Sequence, residues 1–272
     1  MSVAAIQEVT IRSWSEFVHA VEPGATRLPG EEPYFFRGQL ADKSLLPSLA
    51  RHATRWGLTA EDTLTIEREA ISEFRLQAHL YFPAAMIPDL GDLPGWSVLM
   101  QHHGVPTRLL DWTASPFVAA YFAVVEHPDE DGVVWMVHVK TITQYMEDTY
   151  ASYTYPTDRA KLADALSGGA DPVVYFVGLE LHTERMAAQQ TRFSFSYQVL
   201  CDHKEAVAAS VGLSPLGSHR RIIIPKELKP EFLRRLHLMN ITARALFPGI
   251  DGFGRSVKEL VEVRCCFRGT TS

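Results

Sequence analysis

The chain has 272 residues, enough for one large domain or two small ones at roughly 150 residues per domain. Its 46% hydrophobic and 21% charged residues are typical of globular proteins and exclude disorder, collagen and coiled coil. No apolar run approaches the ~18 residues that cross a bilayer, and the N-terminus lacks the basic and apolar segments of a secretion signal. We expect one soluble, cytoplasmic domain without membrane contact.

Cysteine content and charge narrow the function classes further. The three cysteines, Cys201, Cys265 and Cys266, show no C-x-x-C spacing, which argues against a zinc or redox site. The net charge of −6 argues against nucleic-acid binding by the whole surface. However, residues 219–268 hold 11 Lys and Arg against 5 Asp and Glu. This basic quarter is either a solvated surface or a face for an anionic partner.

The predicted elements begin with a strand of aromatic residues at 33–37. The pattern of Thr59 and Asp62 indicates a capping box, with a helix running to about Phe82. Ser115 and Pro116 predict the start of a second helix, and its apolar residues on every side place it in the core.

Strands follow in the second half of the chain. They are predicted at Val133–Val139, Val173–Leu179, Arg192–Leu200 and Arg220–Ile224. The alternation in the third predicts one buried aromatic face and one wet face that carries Ser194 and Ser196. Two helices close the chain, near Pro230–Met239 and Gly254–Val263. Helices first and strands later predict an α+β fold.

Residues 101–113, QHHGVPTRLLDWT, combine imidazoles, a guanidinium, a carboxylate and hydroxyls. Burying these groups is costly unless each is hydrogen-bonded, so the block is either a polar network or a site. Adjacent His102 and His103 point apart and no further ligand pattern completes a metal shell, so no metal is expected. The serine-hydrolase, P-loop and Rossmann patterns are missing.

Arg37 ends the aromatic strand. Its guanidinium offers five donors beside the core, which suit a phosphate or a carboxylate. A buried ion pair would give the same pattern, and the residues alone leave both interpretations open.

These segments together resemble the FRG domain family. The resemblance rests on YFFRGQ at 34–39, LPSLAR at 46–51, the block at 101–113, and AYFA at 120–123. RMAAQQTRF at 185–193 is similar to the family's Gln-rich strand entry, although Thr191 stands where the family usually has Gly. The resemblance spans about residues 30–265 and implies a single domain over 1–272.

The layout also resembles ADP-ribosyltransferases, which implies a split β-sheet core with an N-terminal helical part. It implies NAD as substrate, with Arg37, Thr113, Gln190 and Asp111 as catalytic residues. Glu180 and Glu184 are substitutes for the glutamine. The residues that this resemblance assigns to NAD binding are Tyr34, Arg37, His102, His103, Thr107, Arg108, Thr113, Ser115, Tyr121 and Gln189.

The function expected from the resemblance is transfer of ADP-ribose from NAD to a macromolecular acceptor, either protein, RNA or DNA. A bacterial toxin or defence effector with an antitoxin or immunity partner fits this chemistry, as does an NAD glycohydrolase. Two alternatives stay open. One is a non-catalytic nucleotide-binding module, and the other is a nucleic-acid-acting protein that uses Arg220, Arg221, Arg234 and Arg235.

Overall fold

Strands from both halves of the chain join in one mixed sheet. The computed structural model describes residues 6–25, 34–151, 153, 171–177, 183–213 and 219–269, with residues 25, 263 and 265–269 described by their backbone alone. The strands are β1 (Gln7–Thr10), β2 (Tyr34–Leu40), β3 (Leu109–Thr113), β4 (Gly132–His138), β5 (Val174–Val177), β6 (Thr191–Ser196) and β7 (Arg220–Ile224).

Helices lie between most of these strands. They are α1 (Trp14–Ala25), α2 (Ser48–Trp56), α3 (Ala60–Ala78), α4 (Leu93–His102), α5 (Pro116–Val124), α6 (Val139–Thr149), α7 (Glu184–Ala188), α8 (His203–Ser210), α9 (Lys229–Leu238), α10 (Ala243–Leu246) and α11 (Ile250–Gly269).

The sheet has the order β1-β7-β4-β2-β3-β6-β5. Only the β1–β7 pair is parallel, and every other neighbouring pair is antiparallel. A largely antiparallel sheet with helices packed on it agrees with the expected α+β class. Strands and helices are interleaved along the chain, however, so the predicted order of helices first and strands later is wrong.

The helix starts were read correctly from local chemistry. Thr59 caps α3, and its side chain and that of Asp62 form the predicted capping box. The Ser115 hydroxyl accepts the Val118 N–H at 3.3 Å, and α5 is buried as expected. The helix α3 ends at Ala78, before the predicted Phe82. The helices α1, α2, α4, α6, α7, α8 and α10 were not predicted.

The predicted wet face of β6 is wrong. Ser194 and Ser196 are 0% and 1% exposed, so both faces of the strand are buried. The reason is α8, which follows the strand and brings His203 against the serine face; its Nδ1 lies 2.7 Å from the Ser194 hydroxyl. Of the strand predicted at 173–179, residues 178 and 179 lie outside the described residues, as does Glu180.

The core has one layer on each face of the sheet. On one face, Phe36 packs with α1, α5 and α9. On the other face, Phe35 packs with α6 and α8. Gly38 sets the distance between β2 and α5, because a Cβ at this position would lie 1.7 Å from the Ala119 carbonyl oxygen. The central strand therefore carries Arg37 between two residues fixed by packing.

Candidate functional site

The sheet opens between its two central strands. β2 and β3 are in register at Phe36 and Thr113 alone, whereas β2 pairs with β4 along its whole length. Next to that single pair lies a cavity of about 300 Å³, here called the central cavity. Its walls come from β2, β3, α4, α5, and the segment from α7 to β6. The opening exposes strand residues that a closed sheet would cover.

Arg37 bridges this opening. Its Nη1 donates to the Asp111 carbonyl oxygen at 2.7 Å, and its Nε donates to Gln39 Oε1 at 2.9 Å. Within the described residues, Nη2 has no hydrogen-bond partner and stays available to a ligand. Burial lowers the Arg37 pKa to about 10, against the opposing effect of Asp111. The guanidinium therefore remains charged at neutral pH.

Asp111 supplies the carboxylate of the central cavity. Its Oδ1 accepts from Gln101 Nε2 at 2.7 Å, and the residue lines the central cavity. The surrounding protein removes water from the carboxyl group and raises its pKa, while Arg37 and then the Gln101 hydrogen bond oppose that rise. Arg51 and Arg185 also act electrostatically on Asp111, so cations outnumber this carboxylate. This surplus favours an anionic ligand.

Thr113 ties β3 to the turn that leads into β6. Its hydroxyl donates to the Gln189 carbonyl oxygen at 2.7 Å and accepts from Ser115 N–H at 3.1 Å. A hydroxyl oxygen accepts two hydrogen bonds, so one acceptor position remains for a ligand. Thr113 and Gln189 both line the central cavity.

The two glutamines differ in placement. Gln189 Nε2 donates to the Leu246 carbonyl oxygen at 3.0 Å, and its side chain lines the central cavity. Gln190 is exposed, has a φ of +49°, and does not line the central cavity. The structure therefore brings Gln189 to Arg37 and Thr113 but leaves the Gln190 side chain outside.

The block at 101–113 is partly a polar network. The Thr107 hydroxyl donates to Gln101 Oε1, which orients the amide toward Asp111. Arg108 is 1% exposed and forms a bidentate ion pair with Glu67 of α3. Thr107 and Arg108 thus hold the framework together and do not line the central cavity.

The remaining candidate residues lie around the site. His102 lines the central cavity, and burial lowers its pKa, followed by repulsion from His103. His103 packs on Phe82, with the ring centroids 5.0 Å apart, and lines a neighbouring cavity. Tyr34 is buried against His138 and Ser115 caps α5, and neither lines the central cavity.

Tyr121 lines a second neighbouring cavity on the far side of Arg37. Its ring is 1% exposed, and its hydroxyl donates to the Glu259 carboxylate of α11. Burial, and then the bond to Glu259, raise the Tyr121 pKa. Glu184, the described substitute for the glutamine, lines the cavity beside His103.

Sequence reasoning missed Gln101, Arg185 and Phe122, which line the central cavity, and Arg51, which lines adjoining cavities. Each except Phe122 carries a polar group that acts on Asp111. All four stand inside segments that carry the FRG resemblance. The signal was present, but the sequence did not show which members of each segment face the cavity.

The basic C-terminal quarter is largely used by the fold. Lys229 is 1% exposed and donates to the Glu126 and His127 carbonyl oxygens. Arg220 donates to the Ala20 carbonyl oxygen at 2.6 Å, and Arg221 pairs with Glu8. Arg235 pairs with Glu231 at 2.8 Å. Arg234 and Arg255 are exposed and have no polar partner in the described residues.

A buried series of hydrogen-bonded side chains links β3 to β6 and α8. Trp112 Nε1 donates to Ser194 Oγ at 2.8 Å, and this hydroxyl lies 2.7 Å from His203 Nδ1. His203 Nε2 is buried without a hydrogen-bond partner in the described residues. Burial, and then repulsion from Arg37, lower the His203 pKa to about 3. The imidazole is therefore neutral at pH 7.

We expect the His203 imidazole to make the protein less stable in weak acid. Its folded pKa lies below the unfolded value of 6.5, so the unfolded state takes up the proton first as pH falls. Stability is lost between about pH 6.5 and 3, by up to ~1.4 kcal/mol per pH unit. Urea unfolding at pH 7, 6 and 5 measures this slope. In His203→Gln the free energy of unfolding should fall less steeply with falling pH. An unchanged pH dependence would show that His203 is not the group responsible.

The described part of the chain has neither a metal-ligand cluster nor a helix that could span a membrane. No group of three or more His, Cys, Asp or Glu side chains in that part is placed to hold a metal ion. No helix there is both long and apolar enough to cross a membrane.

The comparisons with known proteins identify one part of the chain. Residues 32–132 match the family model of the FRG domain. The match contains β2, β3 and α5 and ends where β4 begins, so it covers Arg37, Asp111 and Thr113 but neither Gln189 nor Arg185. No curated protein and no solved structure matches the chain. The FRG match is thus confined to residues 32–132, and the rest of the chain lies outside it.

Proposed function

We propose that this FRG-domain chain binds NAD in the central cavity and transfers its ADP-ribose to a macromolecular acceptor. One observation carries the proposal. Arg37, Thr113 and Gln189 come from three distant stretches, and all line one cavity at the opening between β2 and β3. The resemblance to ADP-ribosyltransferases assigns the same three stretches to NAD, and the opening is what a split sheet requires.

The chemistry needs little more than positioning and charge. Cleavage of the bond between nicotinamide and ribose builds positive charge on the sugar, and fixed negative groups stabilise that transition state. Asp111 is the carboxylate that lines the central cavity. Arg37 Nη2 faces a phosphate or ribose oxygen, and the Thr113 oxygen accepts from a ribose hydroxyl. Gln189 takes the third position, with a neutral amide in place of a carboxylate.

NAD turnover is the direct test. We expect the purified chain, incubated with NAD and cell extract, to release nicotinamide and to label a macromolecule with ADP-ribose. Asp111→Asn keeps a hydrogen-bond acceptor for Gln101 but removes the charge, so nicotinamide release should fall ~100-fold. Arg37→Lys keeps the charge and loses the planar fork, with a similar fall expected. Arg12→Lys, at an exposed arginine outside the described cavities, is the matched control.

Two outcomes decide against the proposal. If the parent releases no nicotinamide and Arg37→Ala binds NAD as tightly as the parent, the dinucleotide site is not in the central cavity. If the parent binds NAD in a calorimetric titration without turnover in any extract, the chain is a binding module. Where the extract does become labelled, treating it with protease, RNase or DNase identifies the acceptor class.

A further inference from the structure

Two arginines stack on one phenylalanine at the rim of the central cavity. The Arg185 Cζ atom lies 4.8 Å from the Phe247 ring centroid, and the Arg255 Cζ atom lies 4.6 Å from it. Arg185 belongs to α7, Phe247 directly follows α10, and Arg255 belongs to α11. Three separate elements thus hold two guanidinium groups beside one ring, which is itself 9% exposed.

Both guanidinium groups lack polar partners. In the part of the chain that the structure describes, neither Arg185 nor Arg255 makes a hydrogen bond or an ion pair. Glu184 and Asp251 line the same cavity, yet neither pairs with these arginines. Burial lowers the Arg185 pKa, Asp111 opposes this effect, and Arg255 adds to it. Two like charges close together with unused donors favour the binding of an anion.

The arginine pair stands where three cavities meet. Arg185 lines the central cavity and a neighbouring cavity of about 440 Å³. Arg255 lines that neighbouring cavity and another of about 690 Å³. The central cavity, at about 300 Å³, is at the lower limit of small-molecule sites, so one nucleoside of a dinucleotide fills it. The second nucleoside must then lie in a neighbouring cavity, with the linking diphosphate at the rim.

We propose that Arg185 and Arg255 bind the diphosphate of the dinucleotide, an inference that rests on the proposed function. An arginine fork binds two phosphate oxygens at once, and two forks suit the two phosphates. Phe247 holds both guanidinium groups near its ring through cation–π contacts. Arg37 uses Nε and Nη1 to bind Gln39 and Asp111, which leaves Nη2 for the ribose side. The adenosine half extends into the cavity of about 440 Å³ beside His103.

Calorimetric titration with phosphate-bearing probes tests this site. The probes are inorganic pyrophosphate, ADP-ribose and a short single-stranded oligonucleotide. We expect Arg185→Gln and Arg255→Gln each to weaken pyrophosphate and ADP-ribose binding roughly tenfold or more. Arg244→Gln is the matched control, because Arg244 stacks on Phe253 at 5.8 Å but lines none of the described cavities. Arg185→Lys keeps the charge and checks folding, with a smaller loss expected.

The outcomes separate this inference from the proposed function. Unchanged pyrophosphate and ADP-ribose affinity in both glutamine variants overturns the inference, as does a parent that binds neither probe. Loss of oligonucleotide binding with unchanged ADP-ribose affinity also overturns it, since the phosphate would then belong to the acceptor. If the parent binds ADP-ribose through both arginines yet releases no nicotinamide, the diphosphate site stands and the transferase activity fails.

Discussion

Replacing Arg108 with Met is expected to lower the free energy of unfolding by about 3–5 kcal/mol. Arg108 Nε donates to Glu67 Oε1 at 2.8 Å, and its Nη1 donates to the Tyr197 carbonyl oxygen at 2.9 Å. The substitution leaves the Glu67 carboxylate, 6% exposed, buried without its counterion. The midpoint of urea unfolding measures the loss.

The double variant tests whether the unpaired charge is the cause. Arg108→Met with Glu67→Leu removes both charges, so it should recover much of the stability that Arg108→Met loses. Arg234→Met removes an exposed arginine and should stay within ~0.5 kcal/mol of the parent. A double variant no more stable than Arg108→Met would show that packing around the guanidinium, rather than the ion pair, sets the cost.

Gly38→Ala is expected to destabilise the protein by about 3 kcal/mol, the upper end of the usual cost of overpacking. The added Cβ would lie 1.7 Å from the Ala119 carbonyl oxygen and 2.7 Å from the Ala123 nitrogen. Both are backbone atoms of α5 and have no rotamer to change, so α5 must move off β2. Because Arg37 precedes Gly38, the movement should also disturb the central cavity. Thermal unfolding and NAD binding measure the two effects.

Gly254 provides a control, because alanine at this position is expected to raise the stability that alanine at Gly38 lowers. Gly254 lies within α11, and a Cβ there has nothing within 4 Å. Gly254→Ala should stabilise the protein by ~0.5–1 kcal/mol, since alanine loses less backbone entropy in a helix. Equal losses in both variants would contradict the close approach of β2 and α5 as the cause.

Arg37 and Arg108 both lie in segments that carry the FRG resemblance, yet one lines the central cavity and the other is a structural ion-pair partner. Arg37 lies within β2, which runs on to Leu40 although the sequence predicts its end at residue 37, and Arg108 immediately precedes β3. Arg108 finds Glu67 from a helix 41 residues earlier in the chain, and the pair is complete. Arg37 donates to Gln39 and to the Asp111 carbonyl oxygen, and its Nη2 has no hydrogen-bond partner in the described residues. Arg108 is structural because a distant carboxylate pairs with it, and Arg37 is available to a ligand because no carboxylate forms a hydrogen bond with it in the described residues.

Strand parity explains the split within the block at 101–113. Successive side chains of a strand point to opposite faces, so Arg108 and Trp112 share one face while Asp111 and Thr113 share the other. Arg108 pairs with Glu67 of α3, whereas Asp111 and Thr113 line the central cavity. Trp112 donates to Ser194 of β6 and also borders that cavity. The sequence contained this alternation, but β3 was not predicted as a strand.

The sequence by itself determined the helix caps at Thr59 and Ser115, the buried character of α5 and the α+β class. These features depend on hydrogen bonds and apolar periodicity within a few residues. Only the tertiary structure decided that β2 and β3 separate after one register position, that Gln189 rather than Gln190 lines the opening, and that Arg185 and Arg255 meet at Phe247. Those relations join residues far apart in the chain, and packing between elements sets them, which no local pattern records.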